Sequence, residues 1–312
     1  MSPTIENLRN DLQAFLNLRI HTAPVPFRTI DAQDQNAYTR RLIEYAGSES
    51  DAIRAYLFVP QNREIKGGVL VHHQHNGERH YGKSEVSGLV GDSFQAFCPA
   101  LAGRGIMTLA PDSICFEDRR KNKKGTEPEA NNNRDFLQHY NEMCYRLLRR
   151  DLLMKKVVED SSIAISLLHH HPLMPVDKIG ILGHSYGGNT VLFHSPFDER
   201  IRYSCSSGAV CSYQHKMNND TGIEMAEVIP GFVPRFDIED LISCIAPRKM
   251  LVVSASEDIY SQDAAAVCQK ARSEYRKLGA EGNLLHKAFE GEHALDSERF
   301  RFIIDWFVRG NK

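Results

Sequence analysis

Long apolar runs are missing from this chain of 312 residues, in which no window approaches the roughly 18 consecutive apolar residues a membrane-spanning helix needs. The opening MSPTIENLRNDLQAFLNLRI is too polar to hold the apolar stretch of a signal peptide, so a cytoplasmic protein without membrane contact is expected. An excess of charge of either sign is missing as well. The 38 basic and 40 acidic residues leave a formal charge of −2, too little field to gather nucleic acid, and a small or neutral partner suits the chain better. Cysteine is scarce and odd in number: Cys98, Cys115, Cys144, Cys205, Cys211, Cys244 and Cys268 are scattered, which argues against a disulfide framework and for free, buried thiols. Internal repeats and low-complexity tracts are absent too.

What remains is an ordinary globular composition, 42% hydrophobic and 25% charged, enough for one large core. Ile5, Leu8, Leu12, Phe15, Leu16 and Leu18 recur at helical spacing over 4–18. This predicts an amphipathic helix that covers the core or makes a contact between copies in a homo-oligomer. β-rich runs follow at 39–45, 53–59, 68–73, 106–110, 178–182, 201–206, 249–254 and 284–289. From the third onward they alternate with helical patterns at 92–103, 152–169, 187–194, 262–277 and 295–308. Such alternation, with several strands almost wholly apolar, predicts an α/β fold. Its mostly parallel twisted sheet of about eight strands has helices on both faces, and the two leading strands form an antiparallel edge. One domain over 1–312 is expected, with a helical N-terminal extension over 1–38. The polar, turn-rich stretch from 113 leads into a helix-compatible one ending near 150, and the whole reads as a cap or rim over a site.

The most informative segment is Lys178-Ile179-Gly180-Ile181-Leu182-Gly183-His184-Ser185-Tyr186-Gly187-Gly188. A buried strand runs into G-x-S-x-G and then a helix. A serine held in that turn needs small residues at Gly183 and Gly187, because side chains there would strike the neighbouring strand or the helix start. At a helix N-terminus the Tyr186 N–H is aimed where an oxyanion would form. Serine is a poor nucleophile unless a base takes its proton, so a carboxylate and then a histidine should follow in the chain. Asp258 lies just past the 249–254 strand, with Glu257 and Asp263 as competitors, Asp263 reading better as a helix cap. His293 falls between the last strand and the last helix, where its ring can reach Ser185.

Val69-Leu70-Val71-His72-His73-Gln74-His75-Asn76-Gly77 ends another buried strand, and Gln74 and His75 are candidates for the second oxyanion N–H. His72, His73, His75 and His80 also raise a zinc reading. Adjacent strand side chains point to opposite faces, however, so no metal and no cofactor are expected. His184, beside Ser185, is a candidate substrate contact. In the rim, Glu117, Asp118, Arg119 and Arg120 are candidates to face the site, where Arg119 or Arg120 would grip a substrate carboxylate.

Taken together, the HHQHNGERHYGKSEVSGLVG loop, LAPDSICFEDR, GHSYGG, SCIAPRKMLVVSASEDIY and GEHALDSERFRFIIDWF resemble the α/β-hydrolase superfamily. The narrower resemblance, over about 40–309, is to its dienelactone-hydrolase-like and acetyl-xylan-esterase-like branch. It implies Ser185, Asp258 and His293 as a catalytic triad, and Gln74 or His75 beside Tyr186 in the oxyanion hole. Where dienelactone hydrolases carry a cysteine nucleophile, this chain has Ser185. The expected activity is hydrolysis of a small-molecule carboxylic ester through an acyl-enzyme. Rivals are a peptidase, thioesterase or acyl transferase using the same triad, a hydrolase for one specialised metabolite, and a non-catalytic binding protein of the same fold.

Overall fold

The computed structural model describes residues 4–175 and 178–310. In chain order the elements are α1 (Ile5–Phe15), β1 (Phe27–Asp34), β2 (Tyr38–Ala46), β3 (Ala52–Pro60), β4 (Gly67–His72), α2 (Lys83–Val86), α3 (Phe97–Ala102) and β5 (Ile106–Pro111). There follow α4 (Asn133–Leu148), α5 (Leu153–His169), β6 (Ile179–His184), α6 (Tyr186–His194), β7 (Ile201–Ser207), α7 (Tyr213–Asn218) and α8 (Ile238–Ile245). The chain closes with β8 (Lys249–Ala255), α9 (Ala264–Lys277), β9 (Leu284–Phe289) and α10 (Ser297–Gly310).

The strands form one sheet in the order β1-β2-β3-β5-β4-β6-β7-β8-β9. Pairing is antiparallel from β1 to β5 and parallel from there to β9. The sheet thus has nine strands among the described residues, one more than the periodicity suggested. The additional strand is β1, inside the stretch expected to be a helical extension. All eight of its residues are exposed, so FRTIDAQD carries no buried face to leave a hydrophobic signature.

Strand alternation sorts the core into two layers. Val69, Val71, Leu182, Leu251 and Val253 face the layer under α3 and α10, which includes Leu101, Ile303 and Phe307. Their neighbours Leu70 and Ile181 pack instead with Ile163 and Leu167 of α5, and Met250 and Val252 pack among residues of α6, α8 and α9. Leu12 of α1 and Leu16 just beyond it are buried in that second layer, so the apolar stripe of α1 is spent on the protein's own body. Because β4 pairs with β5 on one side and β6 on the other, the loops leaving β4 and β6 diverge at their C-terminal ends. That divergence opens a crevice of the kind in which ligands bind to open α/β sheets. No described helix is long and apolar enough to cross a membrane.

Candidate active site

Ser185 sits between β6 and α6 with φ 55° and ψ −122°, a left-handed backbone that a non-glycine residue adopts only where its surroundings impose it. Its own N–H is tied to the Ser207 carbonyl at 2.8 Å. A Cβ on Gly183 would lie 2.1 Å from the Gly187 carbonyl carbon, and one on Gly187 would lie 2.5 Å from the His72 carbonyl oxygen. The two glycines let strand, turn and helix touch, and the turn holds the serine hydroxyl clear of the sheet.

The His293 ring lies against that hydroxyl, with Nε2 2.8 Å from Ser185 Oγ. Its Nδ1 is 2.9 Å from Asp258 Oδ1. Asp258 is buried, which disfavours its charge. Hydrogen bonds from His293, the Ser261 hydroxyl and the Tyr260 N–H nevertheless hold its carboxyl below the ordinary range. An ionised carboxylate can only accept, so Nδ1 is the nitrogen that donates to Asp258. Of the competing carboxylates, Glu257 is exposed and Asp263, although at the start of α9, accepts from the Ser212 N–H and hydroxyl instead of capping the helix.

The Tyr186 N–H, first of its helix, has no acceptor among the described residues, as helix starts leave such groups. The N–H groups of Gln74 and His75, in the loop after β4, are likewise unmatched. The Gln74 side chain points away, donating to Glu85 Oε1 at 2.9 Å, while His75 borders a cavity of about 410 Å³ together with Ser185, Tyr186, His293, Arg79 and Phe136.

Several expected contacts lie elsewhere. His184 is fully buried and its Nδ1 is 3.0 Å from the Ser207 hydroxyl. Its ring lies against that of His293, centroids 4.9 Å apart and tilted, so it supports His293 and is not a wall of the cavity. Burial, and then the neighbouring His293, push its pKa down to about 3, so it stays neutral. Arg119 and Arg120 do not reach the site. Arg119 is held by Asp51 at 2.6 Å and Asp160 at 2.8 Å; Arg120 is buried on Asp135 and the Gly125 carbonyl. Glu117 and Asp118 surround the buried Lys83 Nζ with Asp112. These three carboxylates come close enough to suit a cation, and the Lys83 ammonium takes that place.

The clustered histidines separate too. His72 joins Ser161, His194 and Asp198 in a buried chain, His73 accepts from the Ser113 N–H, His75 borders the cavity, and His80 packs on Tyr81. Arg79, not among the sequence candidates, lines the cavity, and the two rim arginines do not.

The family model described as "Dienelactone hydrolase family" matches residues 53–211, just over half of the chain. The chain belongs to the dienelactone hydrolase family. The matched span holds the elbow and the loop after β4. Asp258 and His293 lie beyond it, so their place beside Ser185 rests on the geometry above. The "Putative hydrolase YtaP" of Bacillus subtilis (strain 168) is 25% identical over 236 residues, 73% of this chain and 72% of its own length. Two solved structures share the fold of this family member. One, named a putative acetyl xylan esterase, from Bacteroides fragilis NCTC 9343, has TM-score 0.73 and 14% identity, covering 91% of this chain and 74% of that one. A glucuronoyl esterase from Solibacter usitatus has TM-score 0.67 and 12% identity, covering 97% and 91%. The architecture is that of α/β-hydrolases.

Proposed function

We propose that the protein is a carboxylic-ester hydrolase whose triad is Ser185, His293 and Asp258. The observation that carries this reading is the relay of 2.8 Å and 2.9 Å from Ser185 Oγ through His293 to Asp258, opening on a cavity beside unmatched backbone N–H groups. Structural neighbours named as esterases support ester over amide cleavage.

In the first half-reaction Ser185 Oγ bonds to the ester carbonyl carbon as His293 Nε2 takes the hydroxyl proton. The oxyanion is met by the Tyr186 N–H and by the N–H of Gln74 or His75. Collapse breaks the carbon–oxygen bond to the alcohol, which leaves with the proton from His293. Water then gives its proton to the same nitrogen and attacks the acyl-serine, releasing the acid and restoring Ser185. Asp258 holds the imidazole in one tautomer and stabilises its charged form.

The test is hydrolysis of 4-nitrophenyl esters from acetyl to octanoyl by the native protein and by Ser185→Ala. Activity that falls at least about 10⁴-fold in the variant supports the reading. Activity surviving in Ser185→Ala, or none with any ester, overturns it.

A further inference from the structure

A backbone donor kept free for a ligand cannot also be spent on the fold, so a loop that offers one has to be held by other means. Pairing of β4 with β6 ends at His72 opposite Gly183, and past that point the N–H groups of Gln74 and His75 have no acceptor among the described residues. Side chains anchor the loop instead. Gln74 is gripped by Glu85 on α2, whose Val86 packs in the layer under α3 and α10. His72 faces the opposite layer, on the side of Leu70, and its ring enters a chain of hydrogen bonds that the proposed mechanism leaves unused.

His72 Nε2 lies 2.8 Å from the hydroxyl of Ser161 on α5, and that hydroxyl lies 2.8 Å from Nδ1 of His194, the last residue of α6. His194 Nε2 is 3.2 Å from Asp198 Oδ2. Burial disfavours charge on Asp198, yet hydrogen bonds from Arg200 and His194 hold its carboxyl well below the ordinary range. The carboxylate only accepts, so His194 Nε2 donates to it. Burial keeps His72 neutral, and the Ser161 hydroxyl, donor and acceptor at once, joins the two rings. Ser161, His194 and Asp198 repeat the Ser-His-Asp pattern, but Ser161 is 2% exposed and its oxygen is engaged by both rings. No substrate reaches it, and the chain is a strut.

The strut ends on both halves of the oxyanion hole. At one end stands His72, two residues before Gln74. At the other is α6, a helix of nine residues whose first N–H is that of Tyr186. Backbone already touches backbone where Gly187 meets the His72 carbonyl; the strut adds a second point of contact at the far end of α6, and two points fix an angle as well as a distance. We propose that Ser161 and His194 are positioning residues for the oxyanion hole, holding the loop donor, the N–H of Gln74 or His75, in register with the Tyr186 N–H through His72. The assignment rests on the ester-hydrolase reading. Hydrogen bonds weaken steeply with misalignment, and misplacement by about 1 Å costs on the order of 10²-fold in rate, so a loosened strut shows in kcat.

The probe is phenyl trifluoromethyl ketone, whose carbonyl carbon bonds to Ser185 Oγ while His293 takes the hydroxyl proton and the carbonyl oxygen becomes an oxyanion. Phenyl methyl ketone, without the activating fluorines, reports binding without addition. Ser161→Ala and His194→Leu should lower kcat on 4-nitrophenyl acetate about 10- to 100-fold with KM held within about threefold. Affinity for the trifluoromethyl ketone should fall by a similar factor, and that for phenyl methyl ketone by less than about threefold. Leu167→Ala, a cavity in the same helix α5, controls for lost stability: it should lower the urea midpoint and leave kcat and trifluoromethyl ketone affinity within about threefold. The proposal is overturned if Ser161→Ala and His194→Leu lower the urea midpoint alone, if kcat falls while trifluoromethyl ketone affinity holds, or if Leu167→Ala loses as much of both. Each variant breaks the strut by itself, so one that fails to fold leaves the other to decide. A native protein that neither cleaves the ester nor binds the trifluoromethyl ketone overturns the ester-hydrolase reading and this assignment with it, whereas native activity matched by the strut variants overturns this assignment alone.

Discussion

Gly183→Ala isolates the packing of the elbow from its chemistry. The new methyl would stand 2.1 Å from the Gly187 carbonyl carbon and 2.2 Å from its oxygen. Carbon atoms in contact sit about 3.5–4.0 Å apart, and both obstacles are backbone, with no rotamer to swing away. The start of α6 must therefore retreat by about 1 Å, and Ser185 lies inside the displaced turn. A shift of that size takes the Ser185–His293 contact from 2.8 Å out of hydrogen-bond range. Misplacement by about 1 Å costs on the order of 10²-fold in rate, and overpacking costs about 1–3 kcal/mol. The assay is kcat/KM on 4-nitrophenyl acetate beside urea unfolding, with Gly282→Ala as control, since a Cβ there meets nothing within 4 Å. If Gly183→Ala keeps kcat/KM within about threefold of the native value, the steric account of this glycine is wrong.

Asp258→Asn keeps the shape of the acid but not the charge that fixes the His293 tautomer, and kcat should fall about 10³–10⁴-fold with little change in KM; a loss under about tenfold would remove Asp258 from the relay. Lys83→Met leaves Asp112, Glu117 and Asp118 facing one another without their cation, and urea unfolding should register a loss of about 3–5 kcal/mol. A third test concerns Glu85, whose burial raises its pKa from 4.5 to about 7. A carboxyl raised on folding costs nothing below its unfolded pKa and penalises folding as pH rises through the folded value. Relative to the native protein, Glu85→Gln should thus gain about 2–3 kcal/mol more at pH 8 than at pH 4.5, and urea midpoints shifted equally at both would contradict that.

The parts of the site legible in the sequence are those hung from strand ends. Ser185, Asp258 and His293 each follow a run whose apolar pattern marks a strand, and the turn chemistry around Ser185 is local. The parts that depended on distant partners were not legible. Arg119 belongs to Asp51 and Asp160, Arg120 to Asp135, and nothing in the FEDRR stretch distinguishes a buried structural arginine from one facing a ligand. Arg79 sits among histidines whose clustering suggests metal chemistry, and its place on the cavity wall is a property of the folded neighbourhood alone. β1 escaped for a different reason: a fully exposed strand has neither face buried, and pairing with β2 defines it.

The residues proposed as the triad and the cavity wall come from different parts of the chain. The former stand on the loops that leave β6, β8 and β9, while much of the wall comes from the loop after β4, from Phe136 on α4 and from the 222–227 segment. Exchange of side chains along that wall can redirect what enters without touching the bonds that cut it, so lineages carrying this scaffold are free to change diet while inheriting the same blade.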